Sequence, residues 1–383
     1  MTTPITASQL DSHLTCSHRV TMDAFADPDT KDPVSPFVQL LWERGTTFES
    51  EVVAGLEDPF TDLSQLRGQE KEGAMRAAIA AGDRLIYSGR LSLDDLLGEP
   101  DILRREGPGY VAIDIKSGAG KEGSDEGTDD YGKPKKHYGV QIALYTDILV
   151  RLGISAGRYG FIWDIHRQEK RYDLDTPLGP KSPCLWEIYL EVTAVVASAL
   201  LAPGTTQPAA ASACKLCVWR SNCLSELKTG QDLTLLPELG RSRRDTLVAQ
   251  FPTLPDLAHA DVERFMKPKN KTDFPGIGAD MLRKYRARAV LAIADNPVPY
   301  LTKSIAWPTA PAELFFDIET DSMRNLCYLH GFVIREGSKT RGERFEAIYV
   351  ADLTKNAERV AFAAAMAIFR RYSEAVIVHY SKY

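Results

Sequence analysis

Residues 110–118 read YVAIDIKSG, and this stretch decides the fold of the first part of the chain. Its β-branched residues predict a strand, in which successive side chains point to opposite faces. Val111, Ile113 and Ile115 then share one face. Asp114 and Lys116 lie together on the other face, so the strand presents a carboxylate and an ammonium group side by side.

A carboxylate and a lysine that point the same way can divide one catalytic task. The carboxylate can hold a divalent metal ion, and the lysine can orient or activate the attacking water. Asp101, in the segment GEPDILRRE, lies where a preceding strand could present it to the same ion. A D-x-K pattern alone, however, is more often the polar alternation of an ordinary exposed strand.

Two predicted helices carry further polar groups. The apolar spacing predicts helices over residues 36–56 and 137–152. Gln141 and Tyr145 are four residues apart and share a helix face, where they could contact the DNA backbone or orient the lysine. In the earlier helix, ERGTTFESEV offers several acidic residues, of which Glu49 is selected as an additional metal ligand. The alternative for both helices is a simple polar edge.

These motifs together resemble the RecB-like branch of PD-(D/E)xK nucleases. Pro100 and Asp101 match the PD, Asp114 to Lys116 match the D-x-K, and Gln141 with Tyr145 matches QxxxY. The resemblance implies an α/β, restriction-endonuclease-like core that hydrolyses phosphodiester bonds of DNA with Mg²⁺ or Mn²⁺. It implies these catalytic residues: Asp101, Asp114, Lys116, Gln141 and Tyr145. The metal ligands would be Asp101 and Asp114, with Glu49 assisting.

The N-terminal helix departs from the pattern of that branch. There the helix usually carries G-x-x-H, and the histidine is a metal ligand. In this chain Gly45 is followed by two threonines, Phe48 and then Glu49. Either Glu49 takes the place of the histidine, or metal binding is weaker here.

The cysteines show a second pattern. Cys214, Cys217 and Cys223 form C-x2-C-x5-C, and Cys16 stands alone near the start. Disulfides are rare in a reducing compartment, so this spacing predicts a metal site. Four thiolates suit an iron-sulfur cubane or zinc, although structural zinc more often uses two close pairs. Free buried thiols are a further alternative, and this is the role expected of Cys184 and Cys327.

The two patterns together resemble the iron-sulfur subgroup of RecB-like nucleases, which includes AddB and the CRISPR-associated RecB-type exonuclease. In that subgroup a 4Fe-4S cluster staples the two ends of the nuclease domain. The resemblance covers residues 16–223. It implies that Cys16, Cys214, Cys217 and Cys223 hold the cluster in a nuclease domain of residues 1–229.

Residues 230–300 change in character to short helices with Gly-bearing turns. The segment FPGIGADMLRKYRARA places Gly276 and Gly278 in a turn before a basic helix that carries Arg283 and Lys284. Such a turn can offer backbone amides to a phosphate, and it resembles a helix-hairpin-helix DNA-binding element. The alternative is a helix cap beside a solvated basic face.

The stretch ELFFDIETDS begins a third region, residues 301–383. Asp317 and Glu319 share one face of a predicted strand and resemble the first motif of RNase H-like DEDD exonucleases, whose carboxylates bind paired metal ions. Because the remaining acidic residues do not follow before Tyr383, we expect an incomplete domain with an idle site, in a natural protein that continues. The order of regions resembles RecB-like nucleases often joined to a superfamily 1 helicase, which implies a helicase domain or partner.

Composition limits the alternatives. The net charge of −6 means that nucleic-acid contact has to come from local basic surface. No apolar run has the length of a membrane span and the start lacks a signal-peptide pattern, so we expect a cytoplasmic protein without a membrane partner. Two other functions remain open: a non-catalytic iron-sulfur DNA-binding module, and a zinc-stabilised scaffold for a helicase.

Overall fold

The computed structural model describes residues 3–122, 132–304, 306–321, 324, 326–337 and 342–380. The chain divides into two units, Met1–Pro297 and Val298–Tyr383. Each unit combines helices with β-sheet, so the protein is of the mixed α/β class. Among the helices described, none combines the length and the apolar character that crossing a bilayer requires.

The secondary structure of the first unit is as follows. Its helices are α1 (Ala7–Thr15), α2 (Ser17–Phe25), α3 (Pro36–Ala54), α4 (Gly68–Ala81), α5 (Lys136–Arg151), α6 (Leu185–Leu201), α7 (Arg220–Thr229), α8 (Gly240–Leu247), α9 (Leu254–His259) and α10 (Ala279–Ile293). Its strands are β1 (Ile5–Thr6), β2 (Thr61–Asp62), β3 (Leu85–Tyr87), β4 (Leu91–Leu93), β5 (Leu96–Gly98), β6 (Ile102–Glu106), β7 (Gly109–Ile115), β8 (Lys121–Glu122), β9 (Lys133–Pro134), β10 (Tyr159–Trp163), β11 (Glu169–Asp173), β12 (Met266–Lys267) and β13 (Lys271–Thr272).

The main sheet has the strand order β11-β10-β7-β6-β3-β2, with β7 inside it. β7 pairs antiparallel with β6 and parallel with β10, and α5 lies in the crossover between the parallel strands. Every residue of β7 is buried. Ile113 faces a core that includes Phe48 of α3, whereas Ala112 faces a larger core that includes Tyr145 of α5. The predicted alternation is therefore present, and apolar layers cover both faces of the strand, as is usual beside a parallel pairing.

The N-terminal helices are fastened to the segment that carries the cysteine triplet. The side chain of Trp219 is 1% exposed, and its Nε1 donates to Asp23 Oδ1 of α2 at 2.8 Å. The amide of Ser221 donates to Asp32 Oδ2 at 2.8 Å. Protein hydrogen bonds alone thus bring residues 16–32 beside residues 214–223.

The helices between residues 230 and 297 enclose a core of their own. Leu247 of α8, Leu257 of α9, and Leu282 and Tyr285 of α10 are each 0% exposed within it. This core follows directly after α7. The predicted basic helix is α10, which begins after Gly278.

The second unit contains a four-stranded sheet and one helix within its described residues. They are β14 (Ala312–Asp321), β15 (Leu326–Glu336), β16 (Glu343–Tyr349), α11 (Lys355–Arg371) and β17 (Val376–Val378), in the sheet order β16-β15-β14-β17. Leu314 and Phe332 pack with Ile368 of α11 on one face of the sheet.

We expect the start of β7 to tolerate only glycine. A Cβ at Gly109 would lie 2.5 Å from the carbonyl carbon of Ser155 and 2.6 Å from the amide nitrogen of Ala156, and backbone cannot swing aside as a side chain can. Gly109→Ala should lower the free energy of unfolding by about 2–3 kcal/mol. The matched control is Gly73→Ala in α4, where no atom lies within 4 Å of the added Cβ and the gain in helix propensity should stabilise by roughly 0.5–1 kcal/mol. Denaturant titration of both variants measures the contrast, and equal effects would contradict the packing argument.

Candidate functional site

Asp114 is a buried carboxylate at the end of β7. It is 0% exposed, and the Lys116 ammonium nitrogen lies 2.5 Å from its Oδ2. Lys116 is thus the charged partner of Oδ2, whereas Oδ1 has no hydrogen-bond partner among the described residues. Burial alone would lower the pKa of Lys116, but the carboxylates of Asp114 and Asp101 outweigh it and raise that pKa. The site therefore holds a buried anion beside a fully charged lysine.

Asp101 and Glu49 complete a group of three carboxylates. Asp101 precedes β6, and its Oδ2 accepts the amide of Ile115 at 2.7 Å, which ties the end of β7 to this aspartate. Burial raises the pKa of Asp101 well above its usual value, and the charges of Asp114 and Glu49 raise it further. Glu49 Oε1 accepts the Tyr87 hydroxyl at 3.0 Å. The structure thus brings together the three residues that the sequence suggested as metal ligands.

Helix α3 explains why Glu49, rather than the preceding residue, faces the carboxylates. Phe48 is 6% exposed and packs against Ile102 and Ile113 in the core beneath the sheet. Glu49 lies about 100° further around the helix and reaches the polar end of β3 through Tyr87. Position 48, where the RecB-like motif would have a histidine, is therefore apolar core in this protein.

Gln141 and Tyr145 of α5 approach the same carboxylates from the other side of the sheet. Gln141 Nε2 lies 2.9 Å from the Tyr145 hydroxyl, which donates to the carbonyl of Glu99 at 3.2 Å. Burial, followed by the charge of Asp114, raises the pKa of Tyr145 well above its usual value. A neutral tyrosine, fixed by two partners, thus borders the buried aspartate.

Lys135 and Tyr138 were not selected from the sequence as site residues. The ammonium groups of Lys116 and Lys135 lie 5.6 Å and 5.1 Å from the centre of the Tyr138 ring. Cations over an aromatic face are attracted by its quadrupole. Both residues precede Gln141, where the QxxxY motif begins, so the motif does not include them. They come near Lys116 because the start of α5 lies beside residue 118.

The donor set fits a hard divalent cation. Mg²⁺ and Mn²⁺ prefer carboxylate and water oxygens. In the described part of the chain, no three His, Cys, Asp or Glu side chains are already gathered around one ion position. Glu49, Asp101 and Asp114 would therefore have to move closer together to bind one ion. The three charges repel one another until a cation compensates them.

The four cysteines predicted to act together line one cavity of about 380 Å³. Cys16 lies between α1 and α2, Cys214 lies in a 3-10 turn, Cys217 follows that turn, and Cys223 belongs to α7. Each is partly exposed, whereas Cys184 is buried at the start of α6. Cys184 is thus a buried thiol as predicted, whereas Cys327, for which the same role is predicted, is partly exposed.

The cavity has room for a group larger than one ion, since a water molecule fills only about 30 Å³. Among the described residues, the cysteines are not already arranged around an ion position. Burial raises the pKa of the Cys223 thiol to about 12, and the neighbouring thiols of Cys217, Cys16 and Cys214 contribute to that rise. Thiolates at this position therefore require a positive partner, which a cluster would supply.

The backbone amides of the predicted hairpin turn are less available to a phosphate than the sequence suggested. Gly276 has a positive φ of 74°, and Gly278 caps α10. The amides of Ala279 and Asp280, in the first turn of that helix, donate to the backbone carbonyl and Oδ1 of Asn270 at 3.2 and 3.0 Å. Two of the amides that could meet a phosphate therefore already have a partner.

The basic side chains of α10 are paired in the same region. Arg283 contacts Glu263 at 2.7 Å, and Lys284 contacts Glu238 at 2.8 Å. Both pairs are exposed, and water and salt weaken such pairs. A polyanion could displace these carboxylates, but the surface is not a free basic patch.

Asp317 and Glu319 lie on β14 in the second unit, two residues apart and both exposed. They share the face opposite Leu314 and Phe316, which pack with α11. Among the described residues, no third His, Cys, Asp or Glu joins them in a group that could hold an ion.

We expect charge repulsion at the carboxylates to limit the stability of the metal-free protein. Asp101→Asn keeps an oxygen for the Ile115 amide but removes one of three neighbouring negative charges. In buffer without divalent ions, it should raise the free energy of unfolding by roughly 1 kcal/mol, or about 2–4 °C in Tm. Thermal unfolding followed by circular dichroism under nitrogen measures the shift.

The matched control is Asp147→Asn. Asp147 is also buried, but it accepts hydrogen bonds from Arg151 at 3.0 and 2.8 Å and from Tyr189 at 2.8 Å. This substitution should destabilise by about 2 kcal/mol, because charge-assisted bonds are lost. If Asp101→Asn destabilises the protein as much as Asp147→Asn, the role of Asp101 is structural.

Comparisons with known proteins assign no family to this chain. No family model matches it, and no curated protein is significantly similar to it. Its function therefore has to be inferred from its own residues and their geometry.

Proposed function

We propose that the protein is a Mg²⁺- or Mn²⁺-dependent nuclease that hydrolyses phosphodiester bonds of DNA, most readily in single strands or at ends. The observation that carries this proposal is the buried Asp114 carboxylate, which contacts the Lys116 ammonium at 2.5 Å and acts together with Glu49 on the charge of Asp101. Three neighbouring carboxylates carry more negative charge than one lysine offsets, and a divalent cation would compensate the remainder. Together with the motif order, this arrangement supports a RecB-like PD-(D/E)xK nuclease core.

Each side chain then has a chemical role. The carboxylates would hold the ion, which when bound stabilises the negative charge that develops on the phosphate. Lys116 keeps its charge at neutral pH because two carboxylates surround it, so it can orient the attacking water or stabilise the phosphate. Gln141 and Tyr145 border the site and can position Lys116 or a backbone oxygen.

We further propose that Cys16, Cys214, Cys217 and Cys223 hold a 4Fe-4S cluster. The support is the cavity of about 380 Å³ that all four line, and the fact that one thiol comes from the N-terminal helices and three from the segment after α6. A cluster in that position would close the nuclease region in the manner of the iron-sulfur RecB-like subgroup. Zinc remains the competing occupant.

A non-catalytic DNA-binding module is the second candidate function. The observation that favours it is Phe48, which fills with apolar core the position where related nucleases place a histidine ligand. Under this alternative the carboxylates would be vestigial, and DNA would be bound but not cut. Cleavage assays distinguish the two functions directly.

We expect Lys116→Ala to reduce cleavage of end-labelled single-stranded DNA in Mn²⁺ by at least about 100-fold, since it removes the one cation beside the carboxylates. DNA binding, measured in Ca²⁺, should change little, because phosphate contacts elsewhere position the strand. Wild-type protein that binds DNA without cutting it would favour the non-catalytic module.

The paired control for this assay is the double substitution of Asp317→Ala and Glu319→Ala. Two carboxylates on one strand supply too few of the oxygen ligands that paired ions need. This variant should therefore cut at the wild-type rate. Loss of activity in the double variant but not in Lys116→Ala would move the active site to the second unit.

We also expect anaerobically purified protein to contain about four irons per chain. Cys16→Ser and Cys217→Ser should each release the cluster, because each removes one thiolate of the cavity. Cys184→Ser should keep its iron, since that thiol lies outside the cavity. Stoichiometric zinc in the wild-type protein, or full iron in Cys16→Ser, contradicts the four-cysteine cluster.

A further inference from the structure

Arg241 extends from α8 into the wall of the cysteine cavity. Its Nη2 lies 3.7 Å from Cys16 Sγ, within hydrogen-bonding distance for sulfur, and its Nη1 donates to the carbonyl of Gln207 at 2.7 Å. The guanidinium is thus held at two points, so its direction towards the sulfur is fixed. Arg241 belongs to the helical region after residue 230, whereas Cys16 lies near the start of the chain.

Two other arginines line the same cavity but contact it differently. Arg19 makes an ion pair with Asp23 at 3.5 Å, and Arg220 is exposed. Within the described residues, Arg241 is the arginine that reaches a cysteine sulfur. All three arginines therefore contribute positive charge to the cavity, but Arg241 also directs a hydrogen bond at a sulfur.

Four thiolates around an iron-sulfur core carry a net negative charge, which grows by one when the cluster accepts an electron. Hydrogen bonds to ligand sulfurs and nearby positive charge favour the more negative, reduced state, and they are among the main determinants of the cluster's potential. They also spread charge away from the thiolate and protect it from oxidation. A cationic donor at Cys16 would act in both ways.

We infer that Arg241 is a positioning residue of the cluster, which hydrogen-bonds to the Cys16 thiolate, raises the reduction potential and anchors α8 to the cluster. This inference rests on the proposed cluster. Under this inference the helical region after residue 230 contacts the cluster, in addition to the DNA-binding role predicted for that region.

The test compares anaerobic wild-type protein with Arg241→Met, Arg241→Lys and Arg220→Met. Each protein is titrated with dithionite, which supplies one electron per cluster, and the midpoint potential is read from the visible absorbance. A second measurement follows the loss of that absorbance in air.

We expect Arg241→Met to have a more negative potential and a several-fold faster loss of the cluster. Arg241→Lys keeps the charge but cannot contact Gln207 and Cys16 at the same time. Its potential should therefore lie between those of the wild type and Arg241→Met. Arg220→Met, which removes a charge from the same cavity without removing a sulfur contact, should shift the potential clearly less than Arg241→Met.

Two results would overturn the inference: a wild-type potential in Arg241→Met, or an equal shift in Arg220→Met, which would reduce Arg241 to a general charge. Should Arg241→Met purify without iron, Arg241→Lys decides the question by its potential, where a wild-type value counts against the contact. Failure of the cluster proposal looks different, because the wild-type protein itself would then contain zinc or no iron.

Discussion

The burial of β7 on both faces is the constraint from which the site follows. Apolar cores cover the strand above and below, so any polar residue near its end is enclosed by protein. Asp114 occupies such a place, and the low polarizability of its surroundings makes its charge sensitive to every neighbour. This enclosure raises the pKa values of Asp101 and Tyr145, whereas the pKa of Lys116 is raised by the neighbouring carboxylates in spite of burial. A solvated Asp114 would have little influence on any of them.

The cysteine cavity has a different origin. Trp219 and Ser221 donate hydrogen bonds to Asp23 and Asp32, and these bonds bring the segment after Cys16 beside the triplet. The protein thus preorganises the thiols, and a cluster would reinforce a closure that hydrogen bonds already define. Preorganisation of this kind lowers the ordering cost of binding.

The sequence predicted local features well and the surroundings of the site poorly. The helix expected over residues 137–152 is observed at Lys136–Arg151, because its apolar period is unbroken. The face of β7 that carries Asp114 follows from alternation alone. Tyr138 and Arg241 could not be found in this way, since each meets its partner, Lys116 or Cys16, only through the packing of distant segments. The hairpin shows the opposite error: the glycines predicted an open turn, but Asn270, eight residues before Gly278, already binds the amides that follow it. A residue in a preceding loop that caps a helix cannot be recognised from the periodicity of the sequence.

The bond between Trp219 and Asp23 joins residues 196 positions apart. During synthesis at the ribosome, α2 therefore cannot contact its buried tryptophan partner until most of the first unit has been made. Contacts of such long range close late and slow folding. Cys16 would emerge about 200 residues before its last partner, Cys223, and would stay a solitary thiol throughout that interval. If the proposed cluster is present, its insertion would be a late step of maturation, and Cys16 would be most open to oxidation or to the wrong metal before that step.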